Sequence, residues 1–286
     1  MTALSAALPD DSAAALSWRW EGDPIVGVLL TALVAIYVAG LLRQRRERRL
    51  PQATWTRAAA FVAGIALLVI TFMSPLDAWG DRLFAAHMAQ HLMLMMGAPP
   101  LLVLGRPVVV ALWALPAAGR RAVGAWWLRS RRLRGASGFI RSPLAAWLLA
   151  SAALVFWHLP GPYVQAFENT WAHVLEHLSF FLTAMLFWRI VVKDPQSSGL
   201  SLGATMIFVV TFAMENAMLA AILIFAPRVL YPVHAVLPAW SPLTPLEDQQ
   251  LAGVLMWSVT GVVDLVALCL LFAALLAGRG RRGARG

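Results

Sequence analysis

The sequence predicts an all-α membrane protein, a bundle of seven transmembrane helices, from three observations. First, 60% of the 286 residues are hydrophobic and only 13% are charged, whereas soluble domains average about 45–50% apolar and about 25% charged residues. Second, the apolar residues form long uncharged blocks of the length that crosses a bilayer as a helix. Third, the lone cysteine, Cys269, excludes a disulfide scaffold and any Cys-x-x-Cys metal or redox motif.

Seven apolar blocks approach the roughly 20 residues that a spanning helix requires. The predicted spans are Ile25–Leu42, Arg57–Met73, Leu83–Leu104, Pro143–His158, His173–Val192, Leu200–Ala226 and Leu251–Ala277. The second and fourth are short, so we expect Trp55, Arg57 and Trp157 to anchor their ends at the membrane interface. A shorter block from Pro107 to Leu115, bounded by prolines, is interpreted as an interfacial or re-entrant segment. Residues 25–277 are thus predicted to form one membrane domain.

The distribution of basic residues predicts the orientation of the chain. Assigning the loops alternately places nearly all of the 23 Lys and Arg on one side of the membrane. The opposite side keeps only Arg19, Arg82 and Arg228. Because cytoplasmic loops carry the excess of Lys and Arg, we expect the N-terminus outside and a basic cytoplasmic tail at residues 278–286. Residues 1–24 lack the features of a cleaved signal peptide and are predicted to be an external tail.

The formal net charge of +9 raises the question of which partner the basic residues contact. No basic stripe is interleaved with aromatic residues as in a soluble nucleic-acid-binding domain, so we do not expect nucleic acid. The Arg-rich loop Gly119–Gly138 is instead predicted to contact anionic lipid headgroups on the cytoplasmic face.

All the histidines fall at the predicted external side. They are His87, His91, His158, His173, His177 and His234. Two pairs, His87 with His91 and His173 with His177, are spaced i, i+4, so each pair presents both imidazoles on one helical face. The two faces could hold one metal ion, with Glu176 as a carboxylate that orients His177. We predict that His87, His91, His158, His173 and His177 are metal ligands; a network of interhelical hydrogen bonds is the alternative.

The side chains near these histidines favour copper as the metal. Imidazole suits zinc, copper, iron and nickel, whereas thioether sulfur selects Cu(I). Of the 11 methionines, several are predicted in the external half of the membrane: Met73, Met88, Met93, Met218 and Met256. Cu(I) is therefore the expected ion, although methionine also fills gaps in helical cores without any ligand role.

Other chemistry has weaker support in the sequence. The motifs of zinc proteases, serine hydrolases and phosphate-binding loops are absent from it, so we expect no enzymatic activity. Asp81 is predicted to cap the start of the third span. Glu215 with Asn216 and, in the last span, Asp264 lie near mid-membrane. They indicate either a proton or ion path, or a hydrogen-bonded polar pair that joins spans six and seven.

Seven short motifs follow one another between Ser74 and Trp257. They are Ser74-Pro75-Leu76-Asp77, His87-Met88-x-Gln90-His91, Ala98-Pro99-Pro100-Leu101, Trp157-His158-x-Pro160, His173-x-x-Glu176-His177-Leu178-Ser179-Phe180, Pro227-x-x-Leu230-Tyr231-Pro232 and Leu246-Glu247-Asp248-Gln249-Gln250-Leu251-x-Gly253. Together they resemble the CtaG family, the multi-pass assembly factors of caa3-type cytochrome c oxidase.

The resemblance implies a bacterial plasma-membrane protein that helps to assemble a haem-copper oxidase. It implies that copper is delivered to oxidase subunits, and it makes the five predicted histidine ligands the candidate copper ligands. Two alternatives stay open at this point. One is a haem-binding membrane redox protein with axial histidines from facing helices. The other is a scaffold for oxidase assembly that binds no metal.

Overall fold

The computed structural model describes residues 22–47, 49, 54–192, 199–238 and 241–283, without the side chains of residues 133 and 278–283. Most of the predicted external tail, up to residue 21, lies outside the described residues, as do residues 284–286 of the predicted basic tail. Within the described part of the chain, all regular secondary structure is helical. The predicted all-α fold is confirmed.

The helices of the described residues vary from single turns to long rods. In chain order they are α1 (Pro24–Arg46), α2 (Thr54–Met73), α3 (Pro75–Gly80), α4 (Phe84–Leu92), a π-helix (Met93–Gly97), α5 (Ala98–Gly105), α6 (Pro107–Ala114), α7 (Ala117–Arg129), α8 (Arg131–Ile140), α9 (Pro143–His158), α10 (Pro160–Glu168), α11 (Thr170–Val192), α12 (Leu202–Phe225), a 3-10 helix (Pro232–His234) and α13 (Pro245–Gly283).

Six helical segments of the described chain are long and apolar enough to cross a membrane. They are α1, α2, the continuous segment Phe84–Gly105, α11, α12 and Pro245–Ala277 of α13. A seventh span exists if α9 is counted together with the preceding residues Arg134–Ile140, from which it is bent by 62°. The chain is therefore a multi-pass helical membrane protein with six or seven spanning helices, in agreement with the predicted fold class.

Several spanning helices begin at a polar residue that the sequence places directly before them. Asp23 accepts a hydrogen bond from the backbone N–H of Ile25 at 2.7 Å, and Ser142 and Ser201 cap α9 and α12 in the same way. Proline follows Asp23 and Ser142 as the first helical residue, where its missing N–H costs nothing. These caps explain why α1 and α9 begin where they do.

The third span contains the π-helix Met93–Gly97, which joins α4 to α5. Pro99 and Pro100 follow it and cannot donate backbone hydrogen bonds to the preceding turn. The indole N–H of Trp188 on α11 donates instead to the carbonyl of Met95, at 2.8 Å. The wider turn thus accommodates two prolines inside a span, and α11 supplies a hydrogen bond that the backbone cannot make.

Among the described residues, two hydrophobic cores hold the helices together. The larger core combines residues of α4, α9, α11, α12 and α13; within the bundle, α4 packs against α13, and α11 packs against the π-helix and α5 of the same span. The smaller core joins α1, α2, α5 and α6. In it the ring of Tyr37 stacks on Phe61 with centroids 3.7 Å apart, and the Tyr37 hydroxyl donates to the carbonyl of Gly105. The larger core therefore brings side chains of α4 and α11 together, which positions the histidines.

The Arg-rich segment, predicted as the connection between two spans, is helical. It forms α7 and α8, because its Ala, Leu and Arg residues favour helix and no proline interrupts it between Pro116 and Pro143. Upstream, the predicted interfacial segment is the separate helix α6, which follows Arg106 in the left-handed region (φ 51°) and packs against α1. We call α6, α7 and α8 with their flanking arginines the arginine end of the bundle.

Candidate metal centre

Four of the predicted histidine ligands come together between α4 and α11. Within each i, i+4 pair, the ring centroids of His87 and His91 lie 4.2 Å apart, and so do those of His173 and His177. Across the helices, His87 lies 5.5 Å from His173 and His91 lies 5.2 Å from His177. The spacing on each helix and the contacts between side chains of α4 and α11 thus produce one compact cluster of imidazoles.

Glu176 lies inside this cluster and is 0% exposed. Its carboxylate oxygens are 3.9 Å from Nε2 of His87 and 3.7 Å from Nε2 of His91. The sequence predicted that Glu176 supports the neighbouring His177, and the ligand atoms of these two residues do lie within 4.8 Å of each other; the carboxylate also reaches the two histidines of α4. We call Glu176 with His87, His91, His173 and His177 the histidine centre.

The polar atoms of the histidine centre are buried but have no hydrogen-bond partner. They include Nε2 of each of its four histidines, Nδ1 of His91 and both carboxylate oxygens of Glu176. A buried polar atom without a partner costs about 1–3 kcal/mol, so native structures rarely leave several together. Imidazole nitrogen and carboxylate oxygen are common metal ligands. The residues present therefore fit a metal ion, which would satisfy these atoms.

The fifth predicted ligand, His158, lies at the edge of the centre. It ends α9, and its Nδ1 is 2.7 Å from the carbonyl of Leu154 while Nε2 is buried without a partner. The ring of Phe180 contacts both His91 and His158, with centroids 4.8 and 6.4 Å apart. His158 belongs to neither of the ligand groups that the described residues form within 4.8 Å.

The methionines that favoured copper in the sequence occupy different environments. The sulfur of Met93 accepts a hydrogen bond from the Thr71 hydroxyl at 3.5 Å, and Met88 and Met256 are buried in the larger core. Met218 is 62% exposed on the outer surface of α12. Met218 therefore faces away from the bundle and lends no support to copper as the ion.

Aromatic residues from two short segments cover the centre. The hydroxyl of Tyr163 on α10 is 2.7 Å from Nε2 of His234, and its ring contacts His87 with centroids 5.6 Å apart. The Tyr231 hydroxyl donates to the carbonyl of His158. Burial raises the pKa of both tyrosines and lowers the pKa of His234 to about 4. All of these groups are therefore neutral at pH 7, and sequence reasoning missed the two tyrosines.

The start of α4 is held by a residue distant in the sequence. Both carboxylate oxygens of Asp248 on α13 accept backbone hydrogen bonds, from Phe84 at 2.7 Å and Ala85 at 3.1 Å. The prediction that Asp81 caps this helix is wrong. Asp81 instead ends α3, and its own N–H bonds back to Asp77. Asp248 takes the capping role because α13 packs against α4.

Gln90 holds α4 from a side next to His87, since residues three apart lie close together on a helix. Its side-chain amide donates to the carbonyl of Thr71 at 3.0 Å and to the carboxylate of Asp77 at 2.8 Å. Burial raises the pKa of Asp77, and the hydrogen bond from Gln90 partly opposes that shift. Gln90 thereby ties the histidine-bearing helix to α2 and α3. Its position between His87 and His91 was the sequence feature from which a role near the centre could have been predicted.

The acidic residues near mid-membrane do not form the polar pair that the sequence suggested between spans six and seven. Glu215 accepts a hydrogen bond from Ser151 on α9 at 2.6 Å, and the Asn216 amide donates within α12 to Phe212. Asp264 is buried with both carboxylate oxygens unpartnered. Glu215 therefore links α12 to α9 rather than to α13.

A family model described as cytochrome c oxidase caa3 assembly factor (Caa3_CtaG) matches residues 35–277. The chain belongs to this family. The match includes the whole histidine centre and every motif on which the resemblance rested, so the resemblance to CtaG proteins is confirmed.

Curated relatives of the chain occur in mycobacteria. An uncharacterized protein of Mycobacterium leprae is 30% identical over 271 residues, which is 89% of this chain and 39% of that protein. Uncharacterized proteins of Mycobacterium bovis and Mycobacterium tuberculosis are each 33% identical over 185 residues, covering 62% of this chain and 27% of their own length. The chain thus spans well under half of these relatives. No solved structure matches it.

Proposed function

We propose that this CtaG-family protein receives copper at the histidine centre and delivers it to a subunit of a haem-copper cytochrome c oxidase during assembly. The observation that carries the proposal is the convergence of four imidazoles and one carboxylate whose buried polar atoms lack hydrogen-bond partners. Membership of an oxidase assembly family supports copper among the metals that imidazole binds. Copper is the cargo in this proposal.

The exposure of the ligands supports transfer rather than permanent storage. His87, His91, Glu176 and His177 are buried, whereas His173 at the start of α11 is partly exposed. A structural metal site is closed by its ligands, while a site that exchanges its ion keeps an open side. His173 is therefore the proposed point of entry and exit, where an oxidase subunit would dock.

The arginine end supports an orientation for this delivery. Residues 117–141 contain seven arginines and no acidic residue, and Trp126, Leu128 and Phe139 are exposed on α7 and α8. We propose that these helices lie on the anionic cytoplasmic surface of the bacterial plasma membrane, which places the histidine centre outside. A reporter at Ser130 should be cytoplasmic and one at Thr170 external; both on the same side would contradict the orientation.

The proposed function is tested by loading the detergent-purified protein anaerobically with Cu(I) and measuring retained copper. His87→Ala and His177→Ala should each retain less copper than the unaltered protein. His234→Gln is the matched control, because His234 is a buried histidine at the same end that already has a hydrogen-bond partner. Size-exclusion profiles should confirm that all variants fold.

Each other outcome of this experiment points to a different function. Copper that does not depend on His87 or His177 would favour a scaffold without a metal site. A visible haem absorbance in the purified protein would favour the membrane redox protein.

A further inference from the structure

The ligands of the histidine centre form two groups rather than one. Among the described residues, the ligand atoms of His87, His91 and Glu176 lie within 4.8 Å of one another, and so do those of His173, Glu176 and His177. Each group takes both histidines of one helix. Glu176 is common to both groups, and neither of its two oxygens has a hydrogen-bond partner.

This division limits what a single ion could bind. Metal–nitrogen bonds are about 2.0–2.1 Å long, so two ligands on opposite sides of one ion lie at most about 4.2 Å apart. The four imidazoles do not fall within one group even at 4.8 Å. One ion could therefore use one helix's pair with Glu176, but not both pairs in this arrangement.

We infer that the histidine centre holds two copper ions, one on His87 and His91 and the other on His173 and His177, with Glu176 bridging them. The inference rests on the proposed function and deepens it by giving the number of ions and their ligands. A carboxylate has two oxygens and can bind one ion through each, and paired metal sites in proteins place their ions about 3.5–4 Å apart.

Charge selects the oxidation state of the bound pair. Imidazole ligands are neutral when they bind a metal, so Glu176 brings the one negative charge of the group. Two Cu(I) ions leave a single positive charge in this buried place, whereas two divalent ions leave three. Because uncompensated buried charge is costly, the centre favours a pair of monovalent ions and disfavours a pair of Zn²⁺ ions.

The pair variants His87→Ala/His91→Ala and His173→Ala/His177→Ala separate one ion from two. We expect two Cu(I) per chain in the unaltered protein and about one in each pair variant, because each helix retains its own ion. Glu176→Gln should lower the affinity for both ions, and the His234→Gln variant should still bind two Cu(I) ions per chain. X-ray absorption of the loaded, unaltered protein should show a copper neighbour at about 3.5–4 Å, a measurement that requires no variant to fold.

The alternative outcomes separate this inference from the proposed function. One copper per chain, lost in both pair variants and without a copper neighbour, would overturn the two-ion centre and leave the proposed function intact. No histidine-dependent copper would overturn both.

Discussion

The two ends of the third and fifth spans differ in how they treat polar side chains. At the start of these spans, the histidine centre buries imidazoles and a carboxylate that contact groups on other helices. At their other end, Arg106 leads into the arginine end and Arg189 donates a hydrogen bond to the carbonyl of Arg141 there; α7 of this end has no buried residue. The same helices therefore hold a preorganised polar site at one end and a solvated, positively charged surface at the other.

This difference determines where substitutions should affect stability. A buried polar group depends on specific partners, so its removal leaves other buried groups unsatisfied. An exposed charge exchanges one partner for water at little cost. Substitutions that remove a charge should therefore lower the free energy of unfolding more at the histidine centre than at the arginine end. Substitutions that disturb backbone packing should lower it at both ends.

The largest effect is expected at Asp248. Asp248→Ala leaves the backbone N–H groups of Phe84 and Ala85 buried without an acceptor, which should cost about 2–5 kcal/mol of unfolding free energy and misplace His87. Thermal unfolding in detergent and copper retention measure the two effects. Asp248→Asn keeps one acceptor and should be intermediate. Glu247→Ala is the control, since Glu247 is exposed and, among the described residues, accepts its hydrogen bonds from Thr244; equal losses in both variants would contradict the capping role.

A packing change should make the arginine end sensitive as well. A Cβ added at Gly40 on α1 would meet the carbonyl oxygen of Val110 on α6, so Gly40→Ala should lower unfolding free energy by about 1–3 kcal/mol. Gly261→Ala is the matched control, because nothing lies within 4 Å of a Cβ there. Unfolding midpoints in detergent compare the two. An unchanged midpoint for Gly40→Ala would mean that α1 and α6 do not pack closely.

The pH dependence of stability should sharpen the description of the histidine end. Burial lowers the pKa of His234 to about 4, below the value of about 6.5 in an unfolded chain. The unfolded state therefore binds the proton more readily, and His234's contribution is present above pH 6.5 and lost as pH falls towards 4. The loss should be about 2 kcal/mol. Denaturation of the native protein and His234→Gln across this range isolates it; parallel curves would disprove the shift.

The smallest effect is expected at an exposed ion pair of the arginine end. The Arg120 guanidinium contacts both carboxylate oxygens of Glu47, at 2.9 and 3.3 Å, and stacks on Trp113. Glu47→Gln should change unfolding free energy by less than about 1 kcal/mol, and salt should reduce the difference further. Unfolding midpoints at low and high salt measure it. A change as large as that of Asp248→Ala would remove the contrast between the two ends.

Local patterns were enough to predict the spans and the two histidine pairs. Apolar length depends on the bilayer alone, and i, i+4 spacing depends on helix geometry alone. His87 and His91 therefore share a face whatever surrounds them. Asp23 and Ser142 cap the helices that directly follow them in the sequence, so these caps are also local features.

Contacts between distant segments could not be predicted in this way. Asp248 lies more than 160 positions along the chain from the backbone N–H groups whose hydrogen bonds it accepts. Asp81 is much closer to these groups in the sequence and was therefore the predicted cap. Glu176 is next to His177 in its own helix, yet its carboxylate also contacts His87 and His91 on α4. For Glu215, the choice of Ser151 as partner depends on which helices are adjacent. The sequence patterns specify faces of helices, and the packing decides which faces meet.

The π-helix Met93–Gly97 affects the direction in which the side chains of His87 and His91 point around the axis of the third span. A π-turn is equivalent to one inserted residue in an α-helix, and each residue turns an α-helix by about 100°. The directions of His87 and His91 relative to the prolines of α5 therefore depend on this single extra residue. Without it, the histidine-bearing face of α4 would be turned by about 100° relative to α5. The number of residues in the third span thus determines the direction in which its histidines point around the helix axis, just as the sequence determines which residues they are.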